Sequence, residues 1–147
     1  MNSLFDDTVR AQIRERLEKL TPQHKAQWGK FVPATMLTHL IDTFEVAFAE
    51  RPVTVKKGFL NSALGRWMVI DSPMPWPKGS PTAPEYLESK PGEFVRDKQR
   101  VLAYVDRFAK GRGQQWGRSP GFGDLTPEQW SRLNFRHLNH HLIQFGL

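Results

Sequence analysis

Three of the chain's five histidines fall within five positions of one another, in the C-terminal stretch RHLNHHLIQFGL, residues 136–147. Imidazole is the side chain best suited to hold a divalent transition metal, and it also moves protons near neutral pH. The chain contains no Cys. Thiolate ligands, disulfides and a cysteine nucleophile are therefore excluded, and nitrogen or oxygen donors must carry any metal chemistry. If the stretch is helical, each residue advances by about 100°. With His137 at zero, His141 falls at about +40°, Trp130 at +20°, Leu133 at −40°, Phe145 at +80° and Leu138 at +100°. His137 and His141 then share the apolar arc, on adjacent turns, close enough to share one ion. His140 falls at about −60°, towards the arginines, and belongs at the rim.

A bare His-x-x-x-His pair is a weak motif, and the Glu of a helical HExxH zinc protease is missing after His137. Two imidazoles on a buried stripe still need partners, because an unpaired polar group in a core is costly. Hydrogen bonds to backbone, to Asn134 or to Gln144 would satisfy them without any ion. A third ligand would change the balance. His24 lies in a polar loop, TPQHK, where solvent suits it. His39 lies within ATMLTHLIDTFEVAF, with Met36 at about +60°, Leu40 at +100° and Phe44 at +140° from it. That puts His39 at the edge of an apolar face, within reach of a neighbouring helix, and makes it the better third candidate.

The elements that must position these residues read as helices. Residues 4–20 place Leu4, Val9, Ile13, Leu17 and Leu20 at spacings near three and four, and Thr21-Pro22 ends that run. A second helix is expected from Pro33 to Glu50. Proline suits its first turn, and Met36, Leu37, Leu40, Ile41, Phe44, Ala47 and Phe48 make a wide apolar face. FLNSALGRWMVI after Gly58 gives one or two further turns. Residues 73–91 hold six of the eleven prolines. Proline lacks the backbone donor and restricts its predecessor, so this stretch is neither helix nor central strand. With Trp76, Tyr86 and Leu87 to pack down, it is expected to lie as an ordered strap over the helices. A helix over Gly92–Ala109 buries Phe94, Val101, Leu102, Val105 and Phe108. Five glycines in 111–123 mark a flexible loop without P-loop order. Thr126, Pro127, Glu128 and Gln129 then form a capping box that starts the last helix. No strand pattern stands out. The fold class is all-α: a single domain over 1–147, a four-helix bundle with a short extra helix and a long Pro-rich connection.

The bulk numbers agree with one soluble domain: 147 residues, 39% apolar and 24% charged. The polar N-terminus shows no signal peptide and no apolar run approaches a membrane span, so a cytoplasmic protein without membrane attachment is expected. The net charge of +6 is concentrated in residues 51–123, with 13 Lys/Arg against 6 Asp/Glu. No basic run exceeds Lys56-Lys57 and no nucleic-acid motif is present. A solvated face, one able to attract small anions, is the preferred reading over direct nucleic-acid binding. Trp67 and Trp76 are placed either to line a homodimer surface or to pack beneath the strap.

The order of these features resembles a known group. A histidine in the second helix, followed by H-x-x-H-H-x-x-Q at His137–Gln144, is similar to the DinB/YfiT-like superfamily of small helical metalloproteins. KLTPQHKAQWGKFVPATMLTHL, GSPTAPEYL and LTPEQWSRLNFRHLNHHLIQFG look like one branch of it, classed as a domain of unknown function. The resemblance spans nearly the whole chain. It implies a four-helix bundle with a divalent metal on one histidine of the second helix and two of the last, which here are His39, His137 and His141. Characterised relatives include transferases and isomerases that depend on low-molecular-weight thiols such as bacillithiol or mycothiol. The long Pro-rich connection departs from many relatives and reshapes the expected pocket mouth.

Three neutral imidazoles leave a tetrahedral Zn²⁺ one open position, the arrangement of a catalytic site. Ni²⁺ or Fe²⁺ would suit the same ligands. Gln144, Asn134 and Thr43 are the candidates to hold the ring N–H groups. The expectation is a metal-dependent enzyme of the transferase or hydrolase type. It would act on a small molecule, anionic or paired with a thiol cosubstrate. The alternatives are a bundle that binds metal without catalysis and a nucleic-acid-associated basic protein.

Overall fold

In the computed structural model, which describes residues 1–147, the regular structure is five α-helices, three short 3₁₀ turns, one π-turn and one small hairpin. Helix α1 spans Asp7–Lys19, and the Asp6 carboxylate caps it by accepting from the backbone N–H of Thr8 and Val9. Such a cap contributes about 1 kcal/mol. Its buried stripe is Val9, Ile13 and Leu17, with spacing of four. Helix α2 spans Pro33–Ala47, with the Thr35 hydroxyl accepting from the Val32 N–H ahead of it. Helix α4 spans Phe94–Arg107 and is capped by Glu93, which accepts from the N–H of Val95 and Arg96. Helix α5 spans Pro127–Gln144, and its expected capping box is formed: Gln129 N–H to Thr126 Oγ1 at 3.2 Å and Thr126 N–H to Gln129 Oε1 at 3.0 Å.

These four helices surround one core. Leu4, Ile13, Leu17, Met36, Leu37, Leu40, Phe44, Val101, Val105, Phe108, Leu138 and Leu142 are among its buried members. Helix α2 packs on both α4 and α5, and α1 packs on the same two, so α1 and α2 stand diagonally opposite each other. Only long connections allow this order, since short loops join neighbours. No helix is long and apolar enough to cross a membrane.

Helix α2 ends at Ala47, three residues before the expected Glu50. The reason is local: Ala49 turns into the left-handed region (φ 57°), and Gly117 N–H takes the Ala47 carbonyl at 2.9 Å. A Cβ on Gly117 would lie 1.9 Å from the Val46 carbonyl oxygen, so only glycine permits this approach. The Gly-rich segment, expected as a flexible loop without strands, is instead docked. Arg118–Ser119 (β1) pairs antiparallel with Gly123–Asp124 (β2), and Trp116 packs against Phe48 and Phe108. Two residues per strand are too few to show alternation, which is why no strand pattern could be read.

Between α2 and α4 a short turn at Phe59–Asn61 leads into helix α3, Ala63–Arg66, which widens into a π-turn over Trp67–Asp71. Ile70 from this turn joins Val46, Ala47, Leu125, Trp130 and Leu133 in a second, smaller core. Trp67 is half exposed, whereas Trp76 is partly covered and donates its indole N–H to the Val69 carbonyl at 2.8 Å. The strap is ordered as expected, and both ends are held. Arg132 pairs with Asp71 at 2.7 Å and Arg136 donates to the carbonyls of Ser72 and Met74. At the other end, fully buried Asp42 accepts from Arg51 at 2.8 Å, from Ser89 N–H at 3.0 Å and from the Ser89 hydroxyl. The strap therefore bridges α5 and α2 across the end of the bundle where the histidines lie.

Candidate metal centre

His39 is carried by α2 and His137 and His141 by α5, two helices in direct contact. Their donor nitrogens meet. His137 Nε2 lies 2.8 Å from His39 Nε2 and 3.0 Å from His141 Nε2. One nitrogen from each ring can be chosen so that all three lie within 4.8 Å of one another. The ring centroids are 4.7, 4.7 and 4.9 Å apart. His39 and His141 are buried, and His137 keeps some access to solvent. His140 is half-buried and points away from the cluster, between Trp28 and Trp76, as the helical angle required.

The other ring nitrogens fix the protonation states. His39 Nδ1 lies 2.8 Å from the Tyr86 carbonyl oxygen. A carbonyl only accepts, so Nδ1 carries the proton and His39 Nε2 presents a lone pair. His141 Nδ1 lies 2.8 Å from Gln144 Oε1. The orientation of that amide is set at its other end, where Gln144 Nε2 donates to the Trp28 carbonyl at 2.8 Å. His141 is therefore also protonated on Nδ1, with an Nε2 lone pair turned inward. Gly29 makes room for this arrangement. It sits at φ 78°, and a Cβ there would come within 2.8 Å of the Gln144 amide nitrogen.

The proton count then does not close. His137 Nε2 can carry at most one hydrogen and can satisfy only one of the two lone pairs that face it. At least one pair of nitrogens is left lone pair to lone pair inside a largely apolar site, unless a cation sits among them. Protonation is disfavoured as the remedy. Burial pushes the His137 pKa well below 6.5, with repulsion from His39, His141 and His140 acting the same way. His141 is pushed down to about 3, by burial first and then by His39, against the opposing hydrogen bond that it donates to Gln144. Burial lowers His39 too, despite the Tyr86 carbonyl and Asp42. Neutral rings with inward lone pairs are the state that metal ligation needs. A tetrahedral ion with nitrogen ligands at 2.0–2.1 Å would space them by about 3.3 Å. The observed 2.8 and 3.0 Å separations differ from that by only a few tenths of an ångström. The residues present fit a divalent metal.

Around the three rings the wall is aromatic. Phe31 stacks on His39 at 5.0 Å and meets His141 edge-on at 5.4 Å, while Trp76 lies 5.9 Å from His137. Of the three residues expected to hold the rings, Gln144 does so. Thr43 and Asn134 do not: the Thr43 hydroxyl donates to the Leu40 carbonyl at 2.8 Å, and Asn134 donates to the Trp130 carbonyl at 2.9 Å. Both satisfy their own helix's backbone, the ordinary fate of such side chains inside a helix. The partner that sequence reasoning missed is the Tyr86 carbonyl. A backbone oxygen has no residue-type signature; only the presence of a strap that could pack down hinted at it. Asp42 was missed as well, although its charge within an apolar helix face was visible. His24 accepts from the Thr21 hydroxyl and backbone at the end of α1 and takes no part.

Comparison with known proteins agrees with this geometry. The family model described as the DinB superfamily matches residues 6–145. No curated protein and no solved structure matches the chain. With the match running from the cap of α1 to the residue after α5, and so across all three histidines, the chain belongs to the DinB superfamily.

Proposed function

We propose that this protein is a divalent-metal-dependent enzyme that works on a small molecule, with His39, His137 and His141 as the metal ligands. The observation that carries the reading is the proton count: two of three converging imidazoles have committed their N–H groups elsewhere, so the cluster is complete only around a cation. Zn²⁺ and Ni²⁺ suit three imidazoles best, and Fe²⁺ is compatible. When bound, such an ion supplies Lewis acidity, lowering the pKa of a coordinated water to about 7 or activating a thiolate. The chain's own contribution is orientation and exclusion of water. The Tyr86 carbonyl and Gln144 hold two rings in one tautomer, and Phe31 and Trp76 wall the site. Because the chain has no Cys, a nucleophilic thiol would have to come from a cosubstrate. The substrate class that fits best is a small anion or a low-molecular-weight thiol, of the transfer or hydrolysis type.

The test is metal analysis of protein purified without a nickel column, together with His137→Ala. Stoichiometric Zn²⁺, Ni²⁺ or Fe²⁺ in the wild type and its loss in the variant is the expected result. No stoichiometric metal, with equal affinity in both proteins, overturns it. A second reading, metal binding without catalysis, is favoured by one feature. The carboxylate nearest in sequence to a ligand on α2, Asp42, is occupied by Arg51 and Ser89 and so is not free to move protons. Exchange of small ligands at the ion, read by spectroscopy of the Co²⁺-substituted protein, separates the two. A spectrum indifferent to azide and small thiols supports the non-catalytic reading. Nucleic-acid binding has less support, because Arg51, Arg100, Arg107, Arg112 and Arg118 of the basic middle all pair with carboxylates.

A further inference from the structure

Beside the histidine centre lies a concavity of about 600 Å³, between the outer face of α5 and the start of the strap. That is the size of a site for a small organic ligand. Its inner wall is shared with the centre. His140 lines it with its ring 5.4 Å from His141, and Trp76 lines it with its ring 5.9 Å from His137. Trp28, on the far side of His140, contributes a second indole at 5.7 Å from that ring. Three of the chain's exposed large apolar side chains, Met1, Met74 and Ile143, are also in this hollow. Apolar groups left exposed inside a concavity mark a binding site more often than the same groups scattered singly.

The charges in the groove have one sign left over. Lys78 Nζ stands 4.5 Å above the Trp28 ring and makes no ion pair. The Arg136 guanidinium lies 5.7 Å over the Trp76 ring and donates only to the Ser72 and Met74 carbonyls, which do not neutralise it. The one acidic side chain in the lining, Asp71, is taken by Arg132. An apolar hollow with two cations unmatched by carboxylates is complementary to a molecule with an apolar body and an anionic end.

We infer that this groove is a subsite for a small carboxylate with an aromatic or otherwise flat apolar body, held with its charged end at Lys78 while Arg136 adds positive charge to the same hollow. It would place that molecule against the wall that carries His137 and His141, and in this it rests on the reading of the centre as a metal site. The apolar body contacts Met74, Ile143 and the indole edges. The carboxylate pairs with Lys78 in a setting where the neighbouring indole, rather than water, covers one side of the ammonium.

Benzoate, benzamide and benzylamine share a body and differ in charge, so they test the subsite directly. Each is titrated into the metal-loaded and the metal-free protein at low salt, following the indole N–H signals by NMR. Trp28→Leu and Trp76→Phe spectra assign the two indoles concerned. Benzoate is expected to bind about tenfold more tightly than benzamide, the size of one partly screened charge pair, and benzylamine more weakly still. The signals of Trp28 and Trp76 should move and the other three should not. Lys78→Met should bring benzoate down to the benzamide level while leaving benzamide unchanged, and metal stoichiometry reports that the variant is folded. Equal affinity for all three probes, or no shift of either indole with benzoate up to about 10 mM, overturns the inference. Metal binding without benzoate binding overturns the subsite alone. Benzoate binding to protein that never holds metal preserves the subsite and overturns the metal reading.

Discussion

Replacing Gln144 with Leu separates the tautomer argument from simple packing. Gln144 is 3% exposed and makes two side-chain hydrogen bonds, each 2.8 Å long. One fixes His141 with its proton on Nδ1; the other ties the 27–29 turn to α5. Leucine fills similar space but makes neither bond. Freed from its acceptor, His141 can place its proton on Nε2, which takes its inward lone pair away from the centre. Metal then has to displace that proton. Loss of such an orienting partner costs about 10–100-fold in metal affinity, or about 1.4–2.8 kcal/mol. The stability effect is separate: an unpaired Trp28 carbonyl costs about 1–3 kcal/mol, and each kcal/mol lowers the melting midpoint by about 2–4 °C for a chain of this size. Competition against a chromophoric chelator reads the affinity, and thermal melting of the metal-free protein reads the stability. Thr43→Val is the control, since Thr43 bonds only the Leu40 carbonyl; its metal affinity should match the wild type. A Gln144→Leu protein with lowered melting point and undiminished metal affinity would refute the reasoning, leaving Gln144 as a tie for the 27–29 turn and nothing more.

Three further outcomes follow from the same geometry. His137→Leu removes the one ring that faces both inward lone pairs, so the rise that metal gives the wild type (about 2.7 kcal/mol at a hundredfold excess over Kd) should vanish. An undiminished rise in that variant would contradict the place of His137 among the ligands. For pH, the folded His141 is pushed down to about 3 from 6.5, so between those values the unfolded chain binds a proton that the folded chain refuses. Stability of the metal-free protein is therefore fully present above about pH 6.5 and falls as pH drops towards 3, as urea midpoints at several pH values would show; a flat profile would contradict it. Ser89→Ala, which removes one of the two bonds from Ser89 to buried Asp42, should loosen the end of the strap that holds the Tyr86 carbonyl. Faster proteolysis within residues 73–91 at a nearly unchanged melting point is expected, with a modest loss of metal affinity; equal cleavage rates would show that the strap is held elsewhere.

The helices were legible because their signals are local. The Thr126/Gln129 box marks a start, and the spacing of Ile13 and Leu17 or of Val101 and Val105 marks buried faces. What sequence could not supply was the arrangement. Nothing in the spacing says that α1 and α2 stand diagonally, since that depends on which long connection crosses which end. The early stop of α2 at Ala47 was hidden for a related reason: it is enforced by Gly117, seventy residues away, through a contact that only glycine allows.

For the site the division runs differently. Helical angle alone placed His137 and His141 inward and His140 at the rim, because all three lie on one helix and share one frame. His39 lies on another, and angle put it only at the edge of a face. Whether an edge meets a partner depends on the neighbour, and here α5 packs on that side of α2. Even with three residues named, their identity does not distinguish a metal site from three histidines that satisfy one another. The distinction rests on where the protons are. It is made by two acceptors, one a backbone oxygen from a proline-rich strap and one an amide oriented by the Trp28 carbonyl. Had either ring kept its Nδ1 unpaired, its tautomer would not be fixed and its Nε2 lone pair would not be committed to the centre. The Pro-rich connection is thus also what withdraws a proton from the centre, by presenting the Tyr86 carbonyl to His39.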